Sequence, residues 1–310
     1  MLIDTRTDES MISSFAAYLN ISEDDFFQYI NNPAIKDRID YLLSNFDVLK
    51  DEIQSFFSDF HPKEQIDEIY VYHLTRRLND SIEDKSCDNL KSLLLQESPL
   101  SKFLRQYNID FFEKEGHPVI VFNNKELSLE DEPEFLSSES IHEYLVNNNA
   151  IIEEDKPETG DCYYRRHLRY RLGYDTGDVD YCFNGFAFGN TLMKNEYADR
   201  LKKGPEFLID LSSYLSIDGL IENYYENSKY YCFTYKMTID EIIFDEGADL
   251  KNQDKINYFL LQILNRIRLY MKDGKSMSDD NNNPIIRIAD DANVPESKLV
   301  NVEEITPENI

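Results

Sequence analysis

At 310 residues, with 41% hydrophobic and 13% aromatic residues and only 10 glycines and 10 prolines, the chain is long enough to bury a sizeable core and too apolar to be disordered. Its 60 acidic residues against 32 basic ones give a formal net charge of −28, which repels phosphate backbones and sets nonspecific nucleic-acid binding aside. No apolar run approaches the ~18 residues that span a bilayer, and Asp4, Asp8 and Glu9 stand where a signal peptide is basic, so a cytoplasmic protein without a membrane partner is expected.

Ser22 followed by Glu23, Asp24 and Asp25 has the oxygen-bearing cap and negative first turn of a short helix, with Phe26, Phe27, Tyr29 and Ile30 on its apolar side. From Ala34 the apolar positions Ile35, Ile39, Leu42, Leu43, Phe46, Leu49, Ile53, Phe56 and Phe57 recur at steps of three and four, and His61-Pro62 stops the pattern. Residues 1–65 therefore read as a helical amino-terminal region, distinct from the remainder of the chain. At 68–75 the texture changes to EIYVYHLT, β-branched and aromatic, and a strand is predicted.

Helices are predicted over 89–95 and 98–107, the second opened by Ser98-Pro99. The run PVIVF at 118–122 reads as a second strand, and the acidic stretch 130–157 as an exposed excursion interrupted by a helix-like segment at 140–146. Further strands are predicted at 180–188, 230–237 and 284–289, further helices at 196–215 and 255–271, and a loop at 278–284. No Gly-rich phosphate loop joins a strand to a helix, which removes the Walker and dinucleotide-fold signatures. The fold class that remains is α+β: a helical amino-terminal region, then a mixed or antiparallel split sheet with flanking helices.

The four cysteines, Cys87, Cys162, Cys182 and Cys232, form no CxxC pair, so neither a disulfide framework nor a zinc site is indicated and buried thiols are expected. Chemistry gathers instead in four places. Period two puts His73 and Thr75 on one strand face, where both can hydrogen-bond a polar ligand such as a ribose, with Arg76 beside them. In 162–173, CYYRRHLRYRLG, the residues Arg165, Arg166, His167, Arg169 and Arg171 form a cationic island suited to phosphate. An aromatic in 180–188, foremost Tyr181, is placed to stack on a flat heteroaromatic ring. Glu206, after the Gly204-Pro205 corner, reads either as a helix-start acid or as a catalytic one, and Glu226 ahead of the 230–237 strand is a second candidate.

These residues resemble the ADP-ribosyltransferase superfamily over roughly 68–305. Tyr72-His-Leu-Thr-Arg76 looks like the His-x-Thr opening of its DarT-like and toxin-like bacterial members, 231–244 like a later strand, and 285–289 with 294–300 like the closing strand and its IP-x-x-x-L/I segment. The resemblance implies a split antiparallel sheet over 66–310 that binds NAD as co-substrate and needs no metal. It implies His73 at the nicotinamide ribose, an aromatic such as Tyr181 on nicotinamide, and Glu206 or Glu226 as the catalytic glutamate, with Thr75 and Arg76 beside His73 and Arg166 and Arg169 of the cationic island completing the expected NAD-binding set. Neither Glu206 nor Glu226 stands in the Gln-x-Glu or Glu-x-Glu catalytic pair of the superfamily. A toxin or phage-defence effector acting on a macromolecule, held by a protein partner through its acidic surface or amino-terminal helices, would fit. The competing class is a noncatalytic acidic protein, an inhibitor, immunity factor or nucleic-acid mimic, that presents carboxylates to a basic partner.

Overall fold

The computed structural model describes residues 1–46, 50–58, 60–62, 64–81, 83, 85–129, 157–174, 181–246, 250–272, 274, 277 and 279–306. The excursion predicted at 130–157, with its helix-like segment, lies almost wholly outside the described residues, as does the start of the strand predicted from 180. Four helices open the chain: α1 (Asp8–Leu19), α2 (Glu23–Ile30), α3 (Pro33–Ser44) and α4 (Lys50–Ser58). The caps are local chemistry. The Ser22 hydroxyl accepts from the Asp25 N–H at 3.1 Å, and the Asn32 side chain accepts from the Ala34 N–H at 3.0 Å just ahead of Pro33.

The body contains β1 (Glu68–Leu78), α5 (Leu90–Leu95), α6 (Pro99–Arg105), the hairpin strands β2 (Ile109–Lys114), β3 (His117–Phe122) and β4 (Lys125–Leu127), and α7 (Pro157–Arg171). Then come β5 (Asn184–Phe186), α8 (Glu196–Leu201), α9 (Glu206–Tyr214), α10 (Leu220–Glu226), β6 (Ser228–Thr238), β7 (Ile243–Phe244), α11 (Asn252–Lys272), β8 (Ile285–Arg287) and β9 (Leu299–Glu304). The helix predicted at 196–215 is two, because Gly204 adopts φ +148° and Pro205 follows it. The strand predicted at 180–188 is paired only over 184–186.

The protein is α+β. A six-stranded sheet runs β7-β8-β5-β1-β6-β9 with every neighbouring pair antiparallel, and β2-β3-β4 form a separate meander. Alternation along β1 sends Ile69 and Val71 to one face and Tyr70, Tyr72 and Leu74 to the other, and both faces are covered. The first face is the main core, filled by α11 through Phe259, Leu260, Ile263 and Ile267. That same core contains Phe15 of α1, Phe26 of α2, Ile39 of α3 and Ile53 of α4.

The amino-terminal helices, read from the sequence as a region distinct from the sheet, share the main core with it. They complete the layer that covers the sheet, and Leu2 makes a parallel bridge to Glu68 at the start of β1. Their apolar stripes are the partner of the sheet's own apolar face, a relation that periodicity within one segment does not report.

A second cluster binds α5, α6, α7, α9 and α10 to the meander through Leu94, Leu104, Ile120, Leu168, Leu208 and Leu220. Its entry point is α6, where the Ser98 hydroxyl accepts from the Ser101 N–H and the Ser101 hydroxyl accepts from the Ser98 N–H, each at 2.9 Å. Ser98→Ala breaks this reciprocal cap in a buried position and is expected to lower the unfolding free energy by ~1 kcal/mol. A urea titration checks it: the midpoint should fall with an unchanged slope.

Candidate functional site

The central sheet is split beside His73. Along β1 the backbone alternates, and the bonds from the Asn79 N–H to the Asn227 carbonyl and from the Ile239 N–H to the Asp67 carbonyl place the odd residues on the β6 side. The even residues Tyr72, Leu74, Arg76 and Leu78 turn their amides the other way, toward β5. Yet β5 pairs with β1 only at Tyr72 and Phe186. That contact is close, since a Cβ on Gly185 would lie 2.6 Å from the Val71 side chain and 3.0 Å from the Tyr72 carbonyl oxygen.

Beyond it the strands part, and the imidazole of His73 occupies the parting. His73 Nδ1 lies 2.6 Å from the carbonyl oxygen of Asn184, so this nitrogen carries the hydrogen and donates it. The ring stacks on Phe183 with centroids 4.6 Å apart. A cavity of about 350 Å³ opens at the split and continues past the edge of β1 to both faces of the sheet. This falls within the usual size of small-ligand sites.

Five of the eight residues singled out from the sequence line that cavity: His73, Thr75, Arg76, Tyr181 and Glu206. The Thr75 hydroxyl has no hydrogen-bond partner among the described residues and is available to a ligand. Arg76 is on the wall, but its guanidinium is committed elsewhere. It donates from Nε to Ser228 Oγ at 2.9 Å and from the two terminal nitrogens to the carbonyls of Lys202, Tyr225 and Ser228 at 2.7 to 3.1 Å. It also lies 4.2 Å from the Tyr225 ring centroid. Arg76 thus ties the start of β6 to the ends of α8 and α10, and burial pulls its pKa down. A phosphate or ribose role for it does not agree with these bonds.

Tyr181 is half-buried, with its backbone carbonyl accepting from the Leu90 N–H at 2.9 Å, and burial raises its pKa. Its hydroxyl fills the space left by the missing side chain of Gly173, whose φ of +74° no ordinary residue adopts without strain. Glu206 begins α9 and accepts from Arg171 Nη2 at 2.6 Å and from the Tyr197 hydroxyl at 3.4 Å, both on Oε2. Its other oxygen, Oε1, has no hydrogen-bond partner among the described residues. One oxygen is held and one is open.

Arg166, Arg169 and Glu226 are not among the cavity's residues. Because 157–171 is a helix, the cationic island is spread around a cylinder instead of lying on one face. His167 and Arg171, one turn apart, both approach the buried Asp210 of α9 at 3.5 Å, whereas Arg169 donates to the Leu129 carbonyl and lies over the Tyr174 ring. Of the island's described arginines, Arg171 is the one that reaches the cavity. Glu226 is exposed at the end of α10.

The cavity also holds a residue that sequence reasoning passed over. Cys87 is 4% exposed, and its sulfur lies 3.1 Å from Arg77 Nη2 and 3.1 Å from the Tyr235 hydroxyl. Burial pushes this thiol up, but His73, Arg77 and Tyr235 together outweigh burial and bring it below its ordinary value. Cys232, on β6, is pushed up to about 12 by burial, with the charge of Glu303 adding to it.

Among the described residues no helix is long and apolar enough to cross a membrane. Comparison with protein-family models, with curated proteins and with solved structures finds no match to this chain.

Proposed function

We propose that the protein is an NAD-dependent ADP-ribosyltransferase whose cleft is the split between β1 and β5. The observation that carries this reading is the convergence of His73, Thr75, Tyr181 and Glu206, drawn from three distant parts of the chain, on one cavity of about 350 Å³. The cavity's size suits the nicotinamide riboside end of NAD. In this reading Thr75, with His73, faces the ribose hydroxyls, Tyr181 offers its ring to nicotinamide, and Glu206 Oε1 accepts from a ribose hydroxyl.

In the reaction the bond between the ribose C1′ and the nicotinamide nitrogen breaks and nicotinamide leaves neutral. The acceptor's nucleophilic atom bonds to C1′ and loses its proton. Positive charge develops on the ribose as the leaving group departs, and a carboxylate fixed at Glu206 by Arg171 is set to stabilise it without reorganising. Arg171 takes the place beside the cavity that the sequence had assigned to Arg166 and Arg169. The acceptor is a macromolecule in the manner of a toxin or phage-defence effector, and the net charge of −28 favours a basic protein over unaided capture of nucleic acid.

Titration calorimetry with NAD tests the binding half. Wild type is expected to bind, and Thr75→Val, which removes a hydroxyl that no other described residue uses, is expected to weaken binding about tenfold with the fold intact. Absence of heat with wild type overturns the reading in favour of a noncatalytic acidic binding protein. Equal affinity of the two proteins removes Thr75 from the site.

A further inference from the structure

We propose that the unpaired edge of β1 beside Arg77 is an anion site, and that the group it takes is a phosphate. The inference does not rest on the NAD reading, since any phosphate ester would meet the same groups. Three observations carry it together.

The first is the edge itself. Arg76 and Leu78 turn their amides toward the side from which β5 has already parted, and their N–H groups have no hydrogen-bond partner among the described residues. Their carbonyls are taken. The Tyr224 hydroxyl donates to the Arg76 carbonyl and the Ser81 hydroxyl to the Leu78 carbonyl, each at 2.9 Å, and both hydroxyl-bearing residues line the cavity. An ordinary free edge offers N–H and C=O groups alike, which suits another strand. This one offers donors in excess, which suits a group that only accepts.

The second is Arg77, the neighbour of the Arg76 expected at the ligand. It lies on the cavity wall with its guanidinium 5.3 Å from the Phe233 ring centroid, and Nη2 donates to the Ser86 carbonyl at 2.7 Å and to the Cys87 sulfur at 3.1 Å. These contacts fix the fork before any ligand arrives. Nε is buried without a hydrogen-bond partner among the described residues, whereas Nη1, equally without one, is not buried and is the nitrogen left to a ligand. Among the described residues no carboxylate forms an ion pair with Arg77, although Asp88, Glu97 and Glu206 line the same cavity and the chain carries 60 acidic residues against 32 basic ones. A chain of net charge −28 repels anions at a distance, so capturing one requires a local cation of this kind.

The third is Thr75, one strand period from Arg77 on the same face, with its hydroxyl open. Guanidinium, edge amides and hydroxyl thus offer donors from different directions. The oxygens of a tetrahedral phosphate diverge to meet them, as they do where Arg, Thr and backbone N–H groups share a phosphate, while a carboxylate presents two oxygens in one plane.

Titration calorimetry on the full chain at low salt, with pyrophosphate and NAD in separate arms, tests the site and separates the sources of the phosphate. Wild type is expected to bind pyrophosphate, and Arg77→Gln to weaken that binding about ten- to a hundredfold, the range for hydrogen bonds to a charged group. Arg6→Gln removes an exposed cation outside the cavity and is expected to leave the affinity unchanged. Equal weakening by the two variants overturns the proposal, because the attraction is then diffuse. Two wild-type results overturn it whether or not Arg77→Gln folds: no heat from pyrophosphate up to about 10 mM, or acetate binding as tightly at equal ionic strength. Arg77-dependent binding of pyrophosphate without binding of NAD keeps the anion site and removes the NAD reading. Binding of NAD with no heat from pyrophosphate does the reverse. Displacement of NAD by pyrophosphate supports the site and identifies the phosphates of NAD as its source.

Discussion

Arg266→Met is expected to destabilise the protein by about 3–5 kcal/mol, the usual result of leaving buried charge without its partner. Arg266 of α11 is 4% exposed and faces two buried carboxylates, Asp8 of α1 and Asp280 of the loop before β8. Nε reaches Asp8 Oδ1 at 3.1 Å, Nη1 pairs with Asp280 Oδ1, and Nη2 donates to the Asn190 carbonyl at 2.6 Å and to Thr191 Oγ1 at 3.1 Å. The guanidinium also covers the ring of Phe188 at 4.8 Å. Methionine preserves much of the packing and none of the donors, so two buried carboxylates lose their cation.

The sign of the pH dependence comes from Asp280. Burial raises its folded pKa above the ordinary value, against the opposing pull of Arg266. Between the unfolded and the folded pKa the native state holds more protons than the unfolded one, so stability is fully present below that window and falls as pH rises through it. Without Arg266 the folded pKa moves higher and the loss deepens. The variant should therefore recover stability as the buffer is taken from neutral to mildly acidic. Urea titrations at both conditions measure it, and a loss under ~1 kcal/mol at neutrality would show the cluster to be solvated.

This cluster also shows why the joining of the two halves of the chain was not legible in the sequence. Asp8, Asn190, Arg266 and Asp280 come from four segments, and nothing in the local pattern of any of them names the other three. What was legible is what is local. The aromatic and β-branched runs at 68–75 and 230–237 lie in the two long strands, the three-and-four spacing at 255–271 is α11, and Ser22 and Ser98 are caps. By contrast β2 was missed because Asp110, Phe112 and Glu113 leave it little buried alternation, with Phe112 exposed, and α10 is too short for a period to register.

The candidate site divides the same way. His73 and Thr75 share a strand face by period two, and that much the sequence carries. The position of Arg171 depends on helix geometry that a count of arginines in a window does not contain. Cys87 shares the cavity wall with His73, and its backbone is held there by the bridge to Val294 across most of the chain. A cysteine outside any motif gives no local signal of such a neighbour.

Glu206→Gln is expected to lower ADP-ribosyl transfer about 100- to 1,000-fold while leaving NAD binding within a small factor, the range found when one group that stabilises transition-state charge is removed. The carboxamide is nearly isosteric: its one oxygen stays with Arg171 and its NH2 turns to the ribose hydroxyl, whose oxygen accepts, so ground-state binding changes little. What disappears is the negative charge opposite the developing oxocarbenium. Stability should change by less than ~1 kcal/mol, because the Glu206 and Arg171 side chains are 31% and 20% exposed and partly screened. A labelled-NAD transfer assay on cell lysate, run beside calorimetry on the same preparations, separates the two quantities. Glu226→Gln is the companion variant: Glu226 is exposed on α10 and outside the cavity, so its transfer rate should match wild type. Loss of transfer with Glu226→Gln alone would move the catalytic carboxylate to α10, and equal transfer by wild type and Glu206→Gln would leave Glu206 as no more than the acid that opens α9 and anchors Arg171.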